Sequence, residues 1–382
     1  MILPLVALLL GAFCIGTTEL VVAGILPAIA ADLEVSIPRA GMLVSGYAVS
    51  VAFGGPALMV LASRYPRKPA LVAVILLFML AHVGCALAPG FAALVGARMV
   101  AAAAHGTFFG LAIVLATSSV PPERQATALS IVVGGIGVAN VVGVPLGAAV
   151  GNAWGWRASF ALIAAFSAVA ALAVALLVPD ARETRTATPL GHQIRALANR
   201  TVLSAYALVI LMMIATFSFV TFVAPYLAET AGVGPDLLPL VLFGFGFVGA
   251  AGTFAGGRLT DAFPTASLVA SYLVAAAGYG LVWLAMPRSS SVGMAAIVVI
   301  AAGGSIAALS AQHRILVGAF RAPELASTLM SSVFNVGIAA GATIGAVTLA
   351  RGMPVSALPL IGFTAMALAS VVAVAAVVSD RP

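Results

Sequence analysis

Apolar stretches long enough to cross a bilayer follow one another along the whole chain, separated only by short polar breaks. Runs such as Leu71 to Leu80 and Ala367 to Val378 hold no charged residue. A hydrocarbon core about 30 Å thick asks for about 20 apolar residues per helix. Lipid offers no partner to a bare peptide group, so a spanning segment is either a helix or a strand of a closed barrel. Barrel strands alternate apolar and polar residues, and these runs do not alternate. Charged residues make up 7% of the chain, against about a quarter in soluble domains, so water is excluded as the main solvent. The fold class expected is all-α integral membrane, with twelve transmembrane helices.

Breaks in hydrophobicity predict helices over 3–30, 39–61, 69–88, 92–119, 125–149, 157–178, 201–228, 236–257, 266–286, 291–317, 325–349 and 355–378. The first lacks a basic segment ahead of it and runs past any small-residue cleavage site, so it reads as a retained helix rather than a leader. The polar stretch Pro179 to Arg200 carries Arg182, Arg185, Arg195 and Arg200. It reads as a cytoplasmic linker (179–200), with a short surface helix, between an N-terminal half (1–178) and a C-terminal half (201–382).

Basic residues orient the chain. Arg64, Arg67, Lys68, Arg124, Arg182, Arg185, Arg195, Arg200, Arg258, Arg314, Arg321 and Arg381 lie at even-numbered connections or in the C-terminal tail, while odd-numbered connections hold Arg39, Arg157, Arg288 and Arg351. Twelve against four puts both termini in the cytoplasm of a cell whose inner (plasma) membrane holds the chain. The net charge of +6 is not gathered into a patch with aromatics, so no nucleic-acid partner is expected. Cys14 and Cys85 sit in apolar stretches and read as buried, inert thiols.

The halves repeat. Adding 198 to 43–66 gives 241–264 without a gap, placing Gly46 on Gly244, Tyr47 on Phe245, Gly54 on Gly252, Leu61 on Leu259 and Pro66 on Pro264. A second echo pairs Pro122-Glu123 with Pro323-Glu324 at an offset of 201. Two halves in the same orientation are the parallel repeat of transporters that rock about a midplane site.

Local motifs then carry a resemblance. Met59 to Lys68 resembles the signature loop G-x-L-A-D-R-x-G-R-K of the major facilitator superfamily. Leu61, Ala62, Arg64, Arg67 and Lys68 match it, whereas Met59, Ser63 and Pro66 replace its glycines and aspartate. Gly257-Arg258-Leu259-Thr260-Asp261 resembles the second copy and keeps the acid. Arg98 with Gly106 resembles the family's helix-4 arginine motif, and Gly143, Pro145 and Gly147 its helix-5 antiporter motif. Gly16-Thr17-Thr18-Glu19 through Pro27 is similar to the first helix of bacterial efflux members, the chloramphenicol-resistance and arabinose-efflux-like permeases. The resemblance implies the twelve-helix drug–proton antiporter branch, with a conformational latch built on Arg64, Arg67, Lys68 and Asp261. Because Ser63 is neutral, that latch should depend on Asp261.

Glu19 carries the most chemistry. A charge at the helix centre costs roughly 2.5–3.5 kcal/mol on insertion scales, and a carboxylate escapes that cost by taking up a proton, which is what a proton-coupling site needs. The alternative is a neutral acid bonded to a neighbouring helix. Arg98 cannot discharge in the same way. It sits about 9 Å inside its helix end and Glu19 about 16 Å inside its own, so an arginine steadying the ionised glutamate and an arginine bracing backbone carbonyls are both open. His105, seven residues from Arg98, either relays protons or bonds a neighbouring helix. His82 has no charged company in its segment and reads as structural. Asn140 either binds a polar substrate or pins two helices. Phe217, Phe219, Phe222, Pro225 and Tyr226 form an aromatic run ending in a kink, suited to an amphipathic ligand, with part of the set expected to face lipid.

Gly134-Gly135-Ile136-Gly137 lacks the lysine and serine of a P-loop and follows no strand, so ATP is not the expected energy source. No zinc-ligand, Ser–His or paired-aspartate constellation points to an intramembrane enzyme, and no filter motif points to a channel. No cofactor or metal is expected. The reading is a monomeric antiporter whose partners are protons, the lipid bilayer and a small amphipathic drug or metabolite. The alternative is a sugar or nucleoside exporter relying on Asn140, Gln312 and threonines.

Overall fold

A computed structural model describes residues 2–121, 124–179, 199–286, 288–319 and 323–379, the side chains of 126, 316 and 323–328 excepted. The expected linker from 180 to 198, the Pro122-Glu123 echo, Arg321 and Arg381 lie outside the described residues. Within them there is no strand, and twelve helices are long and apolar enough to span a membrane. In chain order they are α1 (Ile2–Asp32), α2 (Ile37–Ala62), α3 (Arg67–Ala86), α4 (Phe91–Ser118), α5 (Thr127–Trp154), α6 (Trp156–Leu177), α7 (Arg200–Val220), α8 (Leu238–Ala262), α9 (Pro264–Ala285), α10 (Ser290–Ile315), α11 (Leu329–Ala350) and α12 (Val355–Ser379).

Prolines place the irregularities. Pro56 and Pro145 have no N–H to give to the carbonyls of Ala52 and Val141, and the ring crowds that carbonyl. In each case the chain widens to a π turn just upstream, over Ser50–Gly54 in α2 and Ala139–Gly143 in α5. Gly55 N–H then reaches Ser50 O, and Val144 N–H reaches Ala139 O, five residues back in both helices. Pro225 acts more strongly on the expected helix 201–228, breaking it at Thr221-Phe222, the carbonyl side of its missing bond. A separate helix, Val223–Ala231, follows. Two expected ends move outward. The fifth helix runs on to Trp154, where Gly155 turns the chain at φ 87°, a conformation open chiefly to glycine. The eighth continues to Ala262, with Arg258 stacked 4.3 Å over the Phe254 ring, so Arg258 and Asp261 belong to its last turns.

Two compact units result, 1–185 with 234–243, and 186–233 with 244–382. Each has the same internal plan. In the first unit α1 packs on α5 and α6, and α3 packs on α4 and α6. In the second unit α7 packs on α11 and α12, and α9 packs on α10 and α12. The repeat is legible in single contacts at the sequence offset of 198. A Cβ on Gly147 would stand 2.6 Å from Val21 Cγ2, and one on Gly143 would collide with Thr17. Their counterparts Gly341 and Gly345 lie equally close to α7: a Cβ on Gly341 would be 2.7 Å from Ile214 O, and one on Gly345 would be 2.8 Å from Ser218 O. Small residues let the backbones approach where lipid gives helices no hydrophobic reason to associate. The Pro66/Pro264 pair also recurs in place, Pro66 capping α3 and Pro264 opening α9.

At one end of the first unit Asp32 accepts from Arg157 Nη1 at 2.5 Å and from Trp156 Nε1 at 3.0 Å, while Arg157 Nη2 donates to Ala88 O at 3.2 Å. This ties the end of α1 to the start of α6 and the residue just beyond α3. Arg157 and Asp32 are an ion pair, each side chain partly exposed.

The close crossings are directly testable. Gly341→Ala must displace backbone atoms of α7, whereas a Cβ on Gly137 meets nothing within 4 Å. Gly341→Ala should cost about 1–3 kcal/mol and lower the melting temperature in detergent. Gly137→Ala should leave that temperature unchanged or raise it slightly. Equal melting of the two variants would contradict the packing described.

Candidate functional site: a buried arginine and its carboxylate neighbour

Arg98 lies two turns into α4, and its side chain is 1% exposed, the largest such fully buried side chain among the described residues. A permanent cation at that depth needs donors satisfied and charge spread. Nη1 donates to Thr18 O and to Thr18 Oγ1, both at 3.0 Å. The guanidinium carbon stands 4.2 Å over the Tyr47 ring of α2 and 6.0 Å from Phe160 of α6, where a desolvated cation–π contact contributes about 2 kcal/mol. Nε and Nη2 have no hydrogen-bond partner among the described residues.

The bonding runs on in one direction. Thr18 Oγ1 is 2.7 Å from His82 Nε2, and His82 Nδ1 is 2.8 Å from Phe78 O. A carbonyl only accepts, so Nδ1 carries the proton, and in the neutral ring Nε2 then accepts. The Thr18 hydroxyl therefore donates to His82 while its lone pairs receive Arg98. The order is Arg98 to Thr18 to His82 to Phe78. The imidazole itself is fully buried, with its ring centroid 4.2 Å from that of Phe78 and 6.1 Å from that of Phe160. On the other side Tyr47 Oη is 3.0 Å from His105 Nδ1, and the His105 ring meets Phe109 edge-on.

Glu19 follows Thr18 in sequence. It is partly exposed, lies within Coulombic reach of Arg98 and Tyr47, and makes no ion pair with either. The two groups that sequence reading set side by side are thus neighbours that do not touch, and the arginine braces a carbonyl of the glutamate's own helix. His105 is buried and meets the cluster through Tyr47. His82, expected to be structural and without charged company in its helix, bonds Thr18 and through it is one step from Arg98. The sequence named Thr18 only within the first-helix motif and placed neither it nor His82 beside Arg98. Their one sequence mark is that each is polar at membrane depth, Thr18 directly beside the glutamate.

The remaining candidates fall elsewhere. Asn140 sits in the π turn of α5, partly exposed, and Gly143, Pro145 and Gly147 form the crossing with α1. Phe217, Phe222 and Tyr226 are buried. Tyr226 packs edge-on to Phe219 at 4.8 Å, and Phe222 lies against Gly345. The expectation that part of this run faces lipid fails: Phe217, Phe219, Phe222, Pro225 and Tyr226 are all buried, because Phe219 and Tyr226 pack on one another across the break at Thr221-Phe222 and Phe222 seats against Gly345. Of the latch set, Arg64 and Asp261 are exposed and Arg67 and Lys68 open α3, none in an ion pair among the described residues.

Known proteins fit this architecture. The family model described as Major Facilitator Superfamily matches residues 8–346. A chloramphenicol resistance protein of Streptomyces lividans is 36% identical over 91% of this chain and 89% of its own length. The inner membrane transport protein YdhP of Escherichia coli K12 is 34% identical over 96% and 94%. A probable sugar efflux transporter of Helicobacter pylori is 30% identical over 89% and 86%. A solved bacterial homologue of the human lysosomal transporter Spinster superposes with a TM-score of 0.77 at 18% identity, over 98% of this chain and 94% of the other, and so shares the fold. The chain belongs to the Major Facilitator Superfamily and is a multi-pass membrane transporter.

Tyr47 tests the cage. Tyr47→Phe keeps the face over Arg98 and loses only the bond to His105, whereas Tyr47→Leu removes the face. Melting in detergent should fall more for Tyr47→Leu, by about 1–2 kcal/mol relative to Tyr47→Phe. Indistinguishable melting would remove the ring from the account of how the cation is held.

Proposed function

We propose that this transporter exports a small amphipathic antibiotic or metabolite, with chloramphenicol the first candidate, across the cytoplasmic membrane in exchange for protons. The observation that carries the reading is the buried Arg98, with Nε and Nη2 unpartnered among the described residues, beside a Glu19 carboxyl that is not paired to it. An unpartnered buried donor costs about 1–3 kcal/mol, and more when it is charged. A carboxylate that can come and go by protonation is an economical way to relieve that cost in one conformation and not in the other. Ionised, Glu19 is drawn to the guanidinium; protonated, it is released. A proton can then shift the balance of two cavity orientations by the difference in its affinity for them. The Streptomyces relative's name supports an antibiotic as cargo, and the carboxyl's solitary place supports a neutral or weakly charged one.

In the same reading, the halves 1–178 and 201–382 rock about the linker 179–200, both termini face the cytoplasm, and the monomer is the working unit. His105 steadies Tyr47. Asn140 offers its amide to a polar group of the cargo, and Phe217, Phe222 and Tyr226 supply the apolar wall. Arg64, Arg67, Lys68 and Asp261 close the cytoplasmic side. A second reading, export of a sugar, is favoured by the Helicobacter relative's name, and the partly exposed Asn140 suits a hydroxylated ligand.

Proteoliposomes with an imposed pH gradient decide it. Labelled chloramphenicol should move against its gradient with the parent protein. Glu19→Gln should abolish the proton-driven component while the protein still inserts. Arg98→Ala should impair transport more than Arg98→Lys, which keeps the charge but not the planar donors. Parent-like pumping by Glu19→Gln would refute the coupling role. Pumping of labelled arabinose but not chloramphenicol would favour the second reading.

A further inference from the structure

Resting on the proton-coupling reading above, we propose that Thr18 and His82 form a competing anchor that holds the Arg98 guanidinium off Glu19, leaving the carboxyl free to take up a proton. His82 is then a positioning residue for a reaction whose atoms it never touches.

The geometry argues for it. Nη1 has two acceptors 3.0 Å away, and both belong to Thr18. One of them, Oγ1, is held with its lone pairs toward the arginine while its own proton is committed to His82 Nε2, 2.7 Å away. That commitment depends in turn on the imidazole holding its proton at Nδ1, where Phe78 O fixes it at 2.8 Å. Each member of the chain is buried, Thr18 and His82 fully so, and each has the one polarity that satisfies its neighbours. Were His82 unable to accept, the Thr18 hydroxyl proton would turn to another acceptor, and Oγ1 would lose the orientation that aims a lone pair at Nη1. The guanidinium would then give up Oγ1, and the nearest anionic acceptor is Glu19, adjacent in sequence to the anchor. With that tether loosened, the guanidinium is free to turn its donors, the unpartnered Nε and Nη2 included, toward the carboxylate, with which it forms an ion-paired bond.

The groups facing Glu19 are few. Arg98 of α4 and Tyr47 of α2 act on it directly. His82 and Cys85 of α3 and His105 of α4 stand behind them around the arginine. Asp32, Arg157 and Trp156 are engaged with one another at the helix ends.

A hydrophobic carbodiimide, which reacts with protonated carboxyls, reads the state of Glu19 without any cargo. The full-length protein is labelled in detergent at neutral pH, Glu19 modification is followed by peptide mass spectrometry, and Glu19→Gln serves as the blank. Thr18→Val, which keeps the shape and removes the hydroxyl, and His82→Leu, which removes the acceptor, should each slow labelling roughly tenfold or more. Thr18→Ser and His82→Gln, which keep a hydroxyl and an acceptor, should label like the parent, a rescue that a merely structural role would not give. If His82→Leu fails to fold, Thr18→Val carries the test alone. Parent-like labelling of Thr18→Val overturns the anchor while leaving proton coupling standing. A parent protein whose Glu19 does not label at all overturns both.

Discussion

A guanidinium that cannot lose its charge is buried among hydrocarbon side chains, and the N-terminal unit is arranged to make that tolerable. Removing such an ion from water costs several kcal/mol even after relaxation. The cost is met here from several helices at once: a carbonyl and a hydroxyl from α1, a ring face from α2, a second ring from α6, and an imidazole from α3 that orients the hydroxyl. Since α1 packs on α5 and α6, and α3 on α4 and α6, the cation sits where most of the unit's helices converge.

The same unit is held together by contacts that carry no charge. Glycines at the α1–α5 crossing bring backbone against side chain, and Thr107 Oγ1 donates to Gly55 O at 3.0 Å where α4 crosses α2. The π turns before Pro56 and Pro145 lie in α2 and α5, the two helices that make these crossings. A wide turn loosens the ladder of a helix while its packing face stays intact, and such turns cluster at functional sites in helical proteins. Asn140 stands in one of them and Ser50 in the other, with Ser50 Oγ donating to Met99 O next to Arg98.

Much was legible in the sequence. Continuous apolar runs and scarce charge are enough for twelve helices, because a bilayer accepts few other ways of satisfying a backbone. The internal repeat could be read from glycines and prolines, because small residues and helix starts recur wherever the same crossing is built twice. Gly143 and Gly147 against α1, and Gly341 and Gly345 against α7, are that recurrence in space. Glu19 and Arg98 stood out because a charge at membrane depth is costly and so needs a reason to be there.

Other features depended on which faces meet. The absence of an ion pair between Glu19 and Arg98, the bonds from Arg98 to Thr18, and the bond of Thr18 to His82 were decided by tertiary structure. So was the burial of the aromatic run on both sides of the break at Thr221-Phe222. The physical reason is a difference in range. Hydrophobicity and proline act on the segment that contains them, so composition along the chain is enough to place helices. A hydrogen bond acts over about 3 Å and in one direction, so whether Arg98 donates a hydrogen bond to Glu19 or to Thr18 depends on helix rotations that no one-dimensional pattern encodes.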